Sequence, residues 1–153
     1  MTAAARPGRL ARSGLSLTKY PPVKPSAEKS AQMRAVRTRH TAPERALAKA
    51  LRLLRLYPSR HLPYVVGKPD FVWLRRRVAV FVDGDFWHGR LGVPKTNSEW
   101  WRRKFQLTRE RDARQTTALE EDGWIVLRVW ESEVGDGLVV ACLIALVLSC
   151  RSK

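Results

Sequence analysis

Two short apolar runs, residues 71–74 and 78–82, flank three consecutive arginines, Arg75, Arg76 and Arg77. Apolar runs of this length around a polar break predict a hairpin. In the second run Val78, Val80 and Val82 alternate with Ala79 and Phe81, so both faces are apolar and the strand should be central and buried. Upstream, Leu47, Leu51 and Leu54 recur at helical spacing behind Thr41-Ala-Pro-Glu44. That opening supplies an N-cap threonine, a proline in the first turn and a glutamate at the capping-box position, which predicts a helix to about Leu56. Residues 57–66 read as an irregular strand broken by Pro58 and Pro63. Ser98 is placed as the cap of a second helix running to about Asp122 and ended by Gly123. Residues 124–130 form a further strand, and residues 135–150 a final, nearly all-apolar helix. Strands interleaved with helices imply an α/β domain with a central mixed β-sheet flanked by helices.

Length and charge narrow the function. A chain of 153 residues has room for one domain with a sizeable core plus tails. Residues 1–32 carry few large apolar side chains and read as a disordered basic arm, residues 33–150 as the domain, and residues 151–153 as a tail. Lys and Arg number 29 against 14 Asp and Glu, a net charge of +15. Such a chain attracts polyanions, and arginine's planar fork suits phosphate, so nucleic acid is the favoured partner. Cys142 and Cys150 lie near the C-terminus without a C-x-x-C arrangement, which speaks against disulfide and zinc frameworks. The N-terminus lacks an apolar signal core, and residues 138–148 are too few to cross a bilayer, so a soluble, monomeric, cytoplasmic and nucleoid-associated protein is expected.

The candidate chemistry clusters at the open end of the hairpin. Asp70 follows Pro69 at the start of the first strand; Asp83, Asp85 and His88 follow the second. Carboxylates gathered at one strand end need a compensating charge. A hard divalent cation supplies it, since Mg²⁺ takes one or two carboxylates and completes its shell with water and phosphate oxygens.

From residue 33 to residue 134 the chain resembles the very short patch repair endonucleases, a branch of the restriction-endonuclease-like nucleases. The matching pieces are MRAVRTRHTAPE, GKPDFV, VAVFVDGDFWHG, PKTNSEWWRRK, RERD and GWIVLRVWE, in that order. The resemblance implies a single-domain restriction-endonuclease-like fold. It also implies a strand-specific endonuclease that nicks double-stranded DNA beside the T:G mismatches left when 5-methylcytosine deaminates. A functional link to a cytosine-5 DNA methyltransferase goes with that role. On this pattern Asp70 coordinates two Mg²⁺ ions, the Val82 carbonyl is a further metal ligand, and His88 activates the attacking water. Glu44 supports the metal site through water, a role the capping box rivals evenly. Phe86, Trp87 and Trp101 match aromatics inserted beside the mismatch; Trp100 and Trp101 cannot share a helix face, so one packs and one reaches DNA. Arg102, Arg103, Lys95, Arg37 and Arg39 are the cations assigned to DNA.

The chain departs from the family pattern at two places. Asp83 stands where a second active-site histidine is usual, which adds negative charge and implies either tighter metal binding or proton transfer by His88 alone, with Asp83 still counted among the catalytic residues. Asp85 and Ser132 stand where zinc-ligating cysteines are usual, so no structural zinc is expected. Asp112, in RERD, either supports the site or pairs with Arg109 or Arg111, and the pairing is preferred. Two rivals stay open: a restriction or host-defence nuclease of the same fold, and a non-catalytic DNA-binding module.

Overall fold

The computed structural model describes residues 40–151. Helix α1 spans Ala42–Leu53 and opens with the expected capping box: the Thr41 side chain accepts from the Glu44 amide while the Glu44 side chain accepts from the Thr41 amide. The helix ends earlier than its leucine spacing suggested. Arg55 turns into the left-handed region at φ +57, and the Leu56 amide donates back to the Leu51 carbonyl at 2.9 Å. This is the closed C-terminal motif usually built on glycine, and it folds Leu56 back onto the core.

The hairpin is present. Strand β1 (Phe71–Trp73) pairs antiparallel with β2 (Val78–Asp83), with Phe71 opposite Val80, and the arginines fill the connecting turn. Residues 57–66 do not form the expected strand; Ser59 alone bridges to Val72, with Pro58 and Pro63 excluding a longer ladder. Helix α2 covers Ser98–Glu121 and is capped by Asn97 in the left-handed region rather than by Ser98, which is its first helical residue. Strand β3 (Ile125–Trp130) then pairs parallel with β2, Asp83 standing opposite Trp130. The resulting order is β1-β2-β3, with β2 in the centre. A short helix, α3 (Glu131–Val134), follows β3, and the final apolar segment is one helix, α4 (Leu138–Cys150), which starts after Gly137 rather than at Gly135. A Cβ on Gly137 would lie 2.7 Å from the Leu47 Cα, so the start of α4 sits directly on α1.

The alternation in β2 divides the core in two. Val78 and Val80 pack with Phe71, Leu47, Leu51, Ile144 and Leu148, under α1 and α4. Ala79 and Phe81 pack with Val65, Val72 and Leu119 on the α2 face. Each fully buried side chain of this kind stabilises by roughly 1.5–3 kcal/mol over leaving it in water. One end of the sheet carries Asp70 and Asp83. Among the described residues no helix is long and apolar enough to cross a membrane, and Cys142 and Cys150 are unpaired and exposed.

Candidate active site

Antiparallel pairing places the first residue before β1 beside the last residues of β2. The Asp70 amide donates to the Val80 carbonyl at 3.0 Å, and the Val82 amide donates to Asp70 Oδ2 at 2.7 Å. Val82 therefore holds Oδ2, while Oδ1 lies 3.6 Å from His61 Nδ1. Burial raises the Asp70 pKa from an ordinary 3.8 to about 6; the Val82 hydrogen bond pulls the other way, and Glu44 and Asp83 add to the rise.

Glu44 enters from the first turn of α1 and is 3% exposed. Its two oxygens meet different partners. Oε1 accepts from the Thr41 amide at 3.3 Å and from Thr41 Oγ1 at 3.1 Å, completing the helix cap. Oε2 faces the site, accepting from the His40 amide at 3.0 Å and Arg60 Nη2 at 2.8 Å. His61 spans the gap: Nε2 is 3.3 Å from Glu44 Oε2 and Nδ1 is 3.6 Å from Asp70 Oδ1. Neither Arg60 nor His61 was singled out from sequence. Both sit in the stretch read as a broken strand, and only the folding of that stretch against α1 gives them a place.

On the other side of β2, a run of tight turns carries His88 back over the sheet end. Gly89, at φ +72, allows this, since a Cβ there would fall 2.7 Å from the Phe105 ring of α2. His88 then lies between two carboxylates. Nδ1 is 3.0 Å from Asp112 Oδ2, close but off the line of an ideal hydrogen bond, and Nε2 is 3.6 Å from Asp83 Oδ1. Asp112 also accepts from Arg111 Nε and Nη2 at 3.0 and 2.7 Å, so pairing and site support are not exclusive. Burial would raise the Asp112 pKa, but His88, Arg111 and Arg128 together hold it below the usual carboxylate range. The extra negative charge expected from Asp83 is cancelled. Arg128, on neighbouring β3, grips it through Nε to Oδ2 at 2.7 Å and Nη2 to Oδ1 at 2.8 Å.

The two positions that depart from the zinc pattern are hydrogen-bonded to each other. Asp85 accepts from the Ser132 amide and hydroxyl, both at 3.1 Å, and the Asp85 amide donates to Glu131 at 3.0 Å. The loop after β2 is thereby tied to the start of α3, and Arg90 of that loop adds an ion pair to Glu133 at 2.8 Å.

The aromatic residues separate into packed and open ones. Phe86 meets Trp101 edge to face at 5.1 Å, and Trp101 lies 5.5 Å from the buried Phe105. Trp100 stands edge-on to Trp101, with the Lys104 ammonium 5.5 Å from its ring. Trp87 rests on the Phe86 edge and is 38% exposed. Lys95 and Arg102 are exposed and Arg103 half-buried; Arg37 and Arg39 lie outside the described residues.

A mixed sheet covered by helices, with carboxylates and a histidine at one open end, is the arrangement of the restriction-endonuclease-like nucleases. Residues 23–92 match the family model "DNA mismatch endonuclease Vsr". The chain is 41% identical to the type II nicking enzyme V.NmeDIP of Neisseria meningitidis serogroup C over 67% of its own length and 72% of that protein. It is 40% identical to the DNA mismatch endonuclease Vsr of Escherichia coli K12, over 69% of this chain and 70% of the relative. For the type II nicking enzyme V.XorIIP of Xanthomonas oryzae pv. oryzae the figures are 38%, 68% and 79%. The chain belongs to the Vsr family of DNA endonucleases.

Proposed function

We propose that this endonuclease is Mg²⁺-dependent and nicks one strand of double-stranded DNA beside a T:G mismatch, acting as a monomer on lesions that cytosine-5 methylation makes available. The observation that carries the metal is Asp70. Burial and the neighbouring Glu44 and Asp83 carboxylates raise its pKa to about 6, a penalty that a divalent cation at its oxygens would relieve. Its hard oxygen, the Val82 carbonyl and a water-mediated contact to Glu44 form an oxygen-rich donor set that fits Mg²⁺. When bound, the metal would neutralise phosphate charge and lower the pKa of a coordinated water.

The chain's own residues account for the rest. His88 is the general base, its imidazole suited to proton transfer near neutrality. Asp112 orients the ring from Nδ1, which presents Nε2 toward the sheet end. Asp83 and Arg128 form a neutral wall beside it, so His88 works without an unpaired charge as neighbour. Aromatic side chains on the adjoining loop choose the step at which the duplex opens, since a mispaired step costs least to unstack. The names of the nicking relatives favour cleavage of a single strand.

The test is incubation with Mg²⁺ and duplexes carrying one T:G mismatch in varied contexts, beside matched controls. Nicking of the T strand alone is expected. Equal cutting of matched DNA points to a restriction or defence role, and binding without cutting points to a non-catalytic module.

The basic face of α2 gives a separate expectation. Replacing Arg102 and Arg103 with Ala should weaken binding to matched and mismatched duplexes alike. It should also reduce the slope of log affinity against log salt by about two, because each phosphate contact contributes roughly 0.9. A loss confined to the mismatched duplex would show instead that these arginines read the lesion.

A further inference from the structure

Next to the Asp70 end of the sheet is a second convergence of donors, different in chemistry. His40, Glu44 and His61 each offer one ligand atom, and the three atoms lie within 4.8 Å of one another. Glu44 Oε2 is the buried member. His61 Nε2 stands 3.3 Å from it, and the His40 and His61 rings meet edge to face with centroids 5.1 Å apart. What occupies the centre now is a cation belonging to the chain. The Arg60 guanidinium lies 2.8 Å from Glu44 Oε2 and 3.1 Å from His40 Nδ1. A guanidinium can only donate, so His40 Nδ1 must present its lone pair inward. The guanidinium thus stands in for a positive ion on which an imidazole nitrogen and a carboxylate oxygen already converge.

We infer that His40, Glu44 and His61 form an exchangeable transition-metal site, distinct in its donors from the oxygen-rich site at Asp70 and adjoining it at Glu44. Two imidazoles and one carboxylate suit Zn²⁺, Co²⁺ or Mn²⁺, whereas Mg²⁺ prefers oxygen alone. Ligands about 2.1 Å from a single ion must approach more closely than they do here. His40 is exposed and can rotate inward to achieve this. Arg60 can yield, because its side chain is partly exposed and its buried Nε makes no hydrogen bond. The site also reaches the neighbouring one. With Nε2 on the metal, His61 would turn its Nδ1–H to Asp70 Oδ1, now 3.6 Å away. This is the histidine-to-carboxylate arrangement that commonly backs a metal ligand.

The inference does not rest on the Mg²⁺ assignment, and Co²⁺ absorption separates the two. Untagged full-length protein in excess Mg²⁺ is titrated with Co²⁺, with circular dichroism confirming the fold of each variant. One Co²⁺ per chain is expected. His40→Ala and His61→Ala should each weaken its binding by roughly tenfold or more. Arg60→Ala should strengthen it by removing the competing cation, and Asp70→Asn, which removes only the carboxylate behind His61, should keep the Co²⁺ spectrum at saturation with affinity lowered by roughly a hundredfold at most. The exposed His40 is the variant least able to disturb folding, so undiminished Co²⁺ affinity in His40→Ala overturns the site. Loss of the Co²⁺ signal at saturation in Asp70→Asn, or no Co²⁺ bound even by Arg60→Ala, overturns it equally.

Discussion

Asp70→Asn is expected to abolish nicking in Mg²⁺ while raising the melting temperature of the metal-free protein at pH 8. The first effect follows from losing the charged oxygen proposed to anchor the metal. DNA binding should persist, because the arginines are untouched. The second follows from burial. The folded-state pKa is about 6 against an ordinary 3.8, so the folded state holds this proton more tightly than the unfolded chain. Below pH 3.8 the group is neutral in both states and costs nothing. As pH rises toward 6 the unfolded chain ionises first and folding stability falls, with the penalty complete above 6. Two pKa units correspond to roughly 3 kcal/mol at most, and residual solvent access reduces that. The amide of Asn can still accept from the Val82 N–H, so the variant loses the charge without losing the hydrogen bond. A gain of several degrees at pH 8, shrinking toward pH 4, is the expected melting profile. Added Mg²⁺ should stabilise the native protein and leave the variant unchanged. Strong residual cleavage, or a melting temperature that does not rise with the substitution, would overturn the account of Asp70.

How much of this could be read from the chain depended on whether a residue's partner was local. The capping box of α1 and the alternation of β2 are set by neighbours three and two residues away, and both appear as expected. The end of α1 was misjudged because its stop uses Arg55 in a left-handed conformation, where sequence reading looks for glycine. Ser98 reads as a cap by residue type, but the cap position falls one residue earlier, on Asn97 in the left-handed region that asparagine adopts readily. The later start of α4 coincides with the close approach of Gly137 to Leu47, a contact between residues far apart in sequence. The same distinction runs through the site. Asp70, Asp83 and His88 stood out because they bracket one hairpin. Arg128 and His61 did not, since an arginine in the middle of a β-strand and a histidine in a proline-broken loop have no local signature. Their roles come from the register of β3 against β2 and from the packing of residues 57–66 beside α1. The charge balance changes with them: an end of the sheet that reads as strongly acidic is in fact threaded by two arginines.

Truncating Trp87 to Ala should reduce T:G nicking by roughly ten- to a hundredfold with little change in stability. The geometry separates this residue from its neighbour. Phe86 is held against Trp101, itself packed on the buried Phe105, whereas Trp87 touches Phe86 by an edge and keeps 38% of its surface open. DNA that reaches Asp70 must pass the loop carrying both, because that loop joins β2 to His88. A ring wedged into the stack recovers roughly 1–3 kcal/mol per base, and about 1.4 kcal/mol corresponds to a decade in rate. Opening beside a mispair costs less than opening beside a matched pair, so the same ring converts that difference into selectivity. Phe86→Ala should behave differently: its loss opens a gap in the aromatic cluster, costing on the order of 3 kcal/mol in stability. Melting temperature and nicking rate measured on the same preparations distinguish the two residues. A large fall in the melting temperature of Trp87→Ala with unchanged activity per folded molecule would place Trp87 in the packing and end its assignment as the wedge.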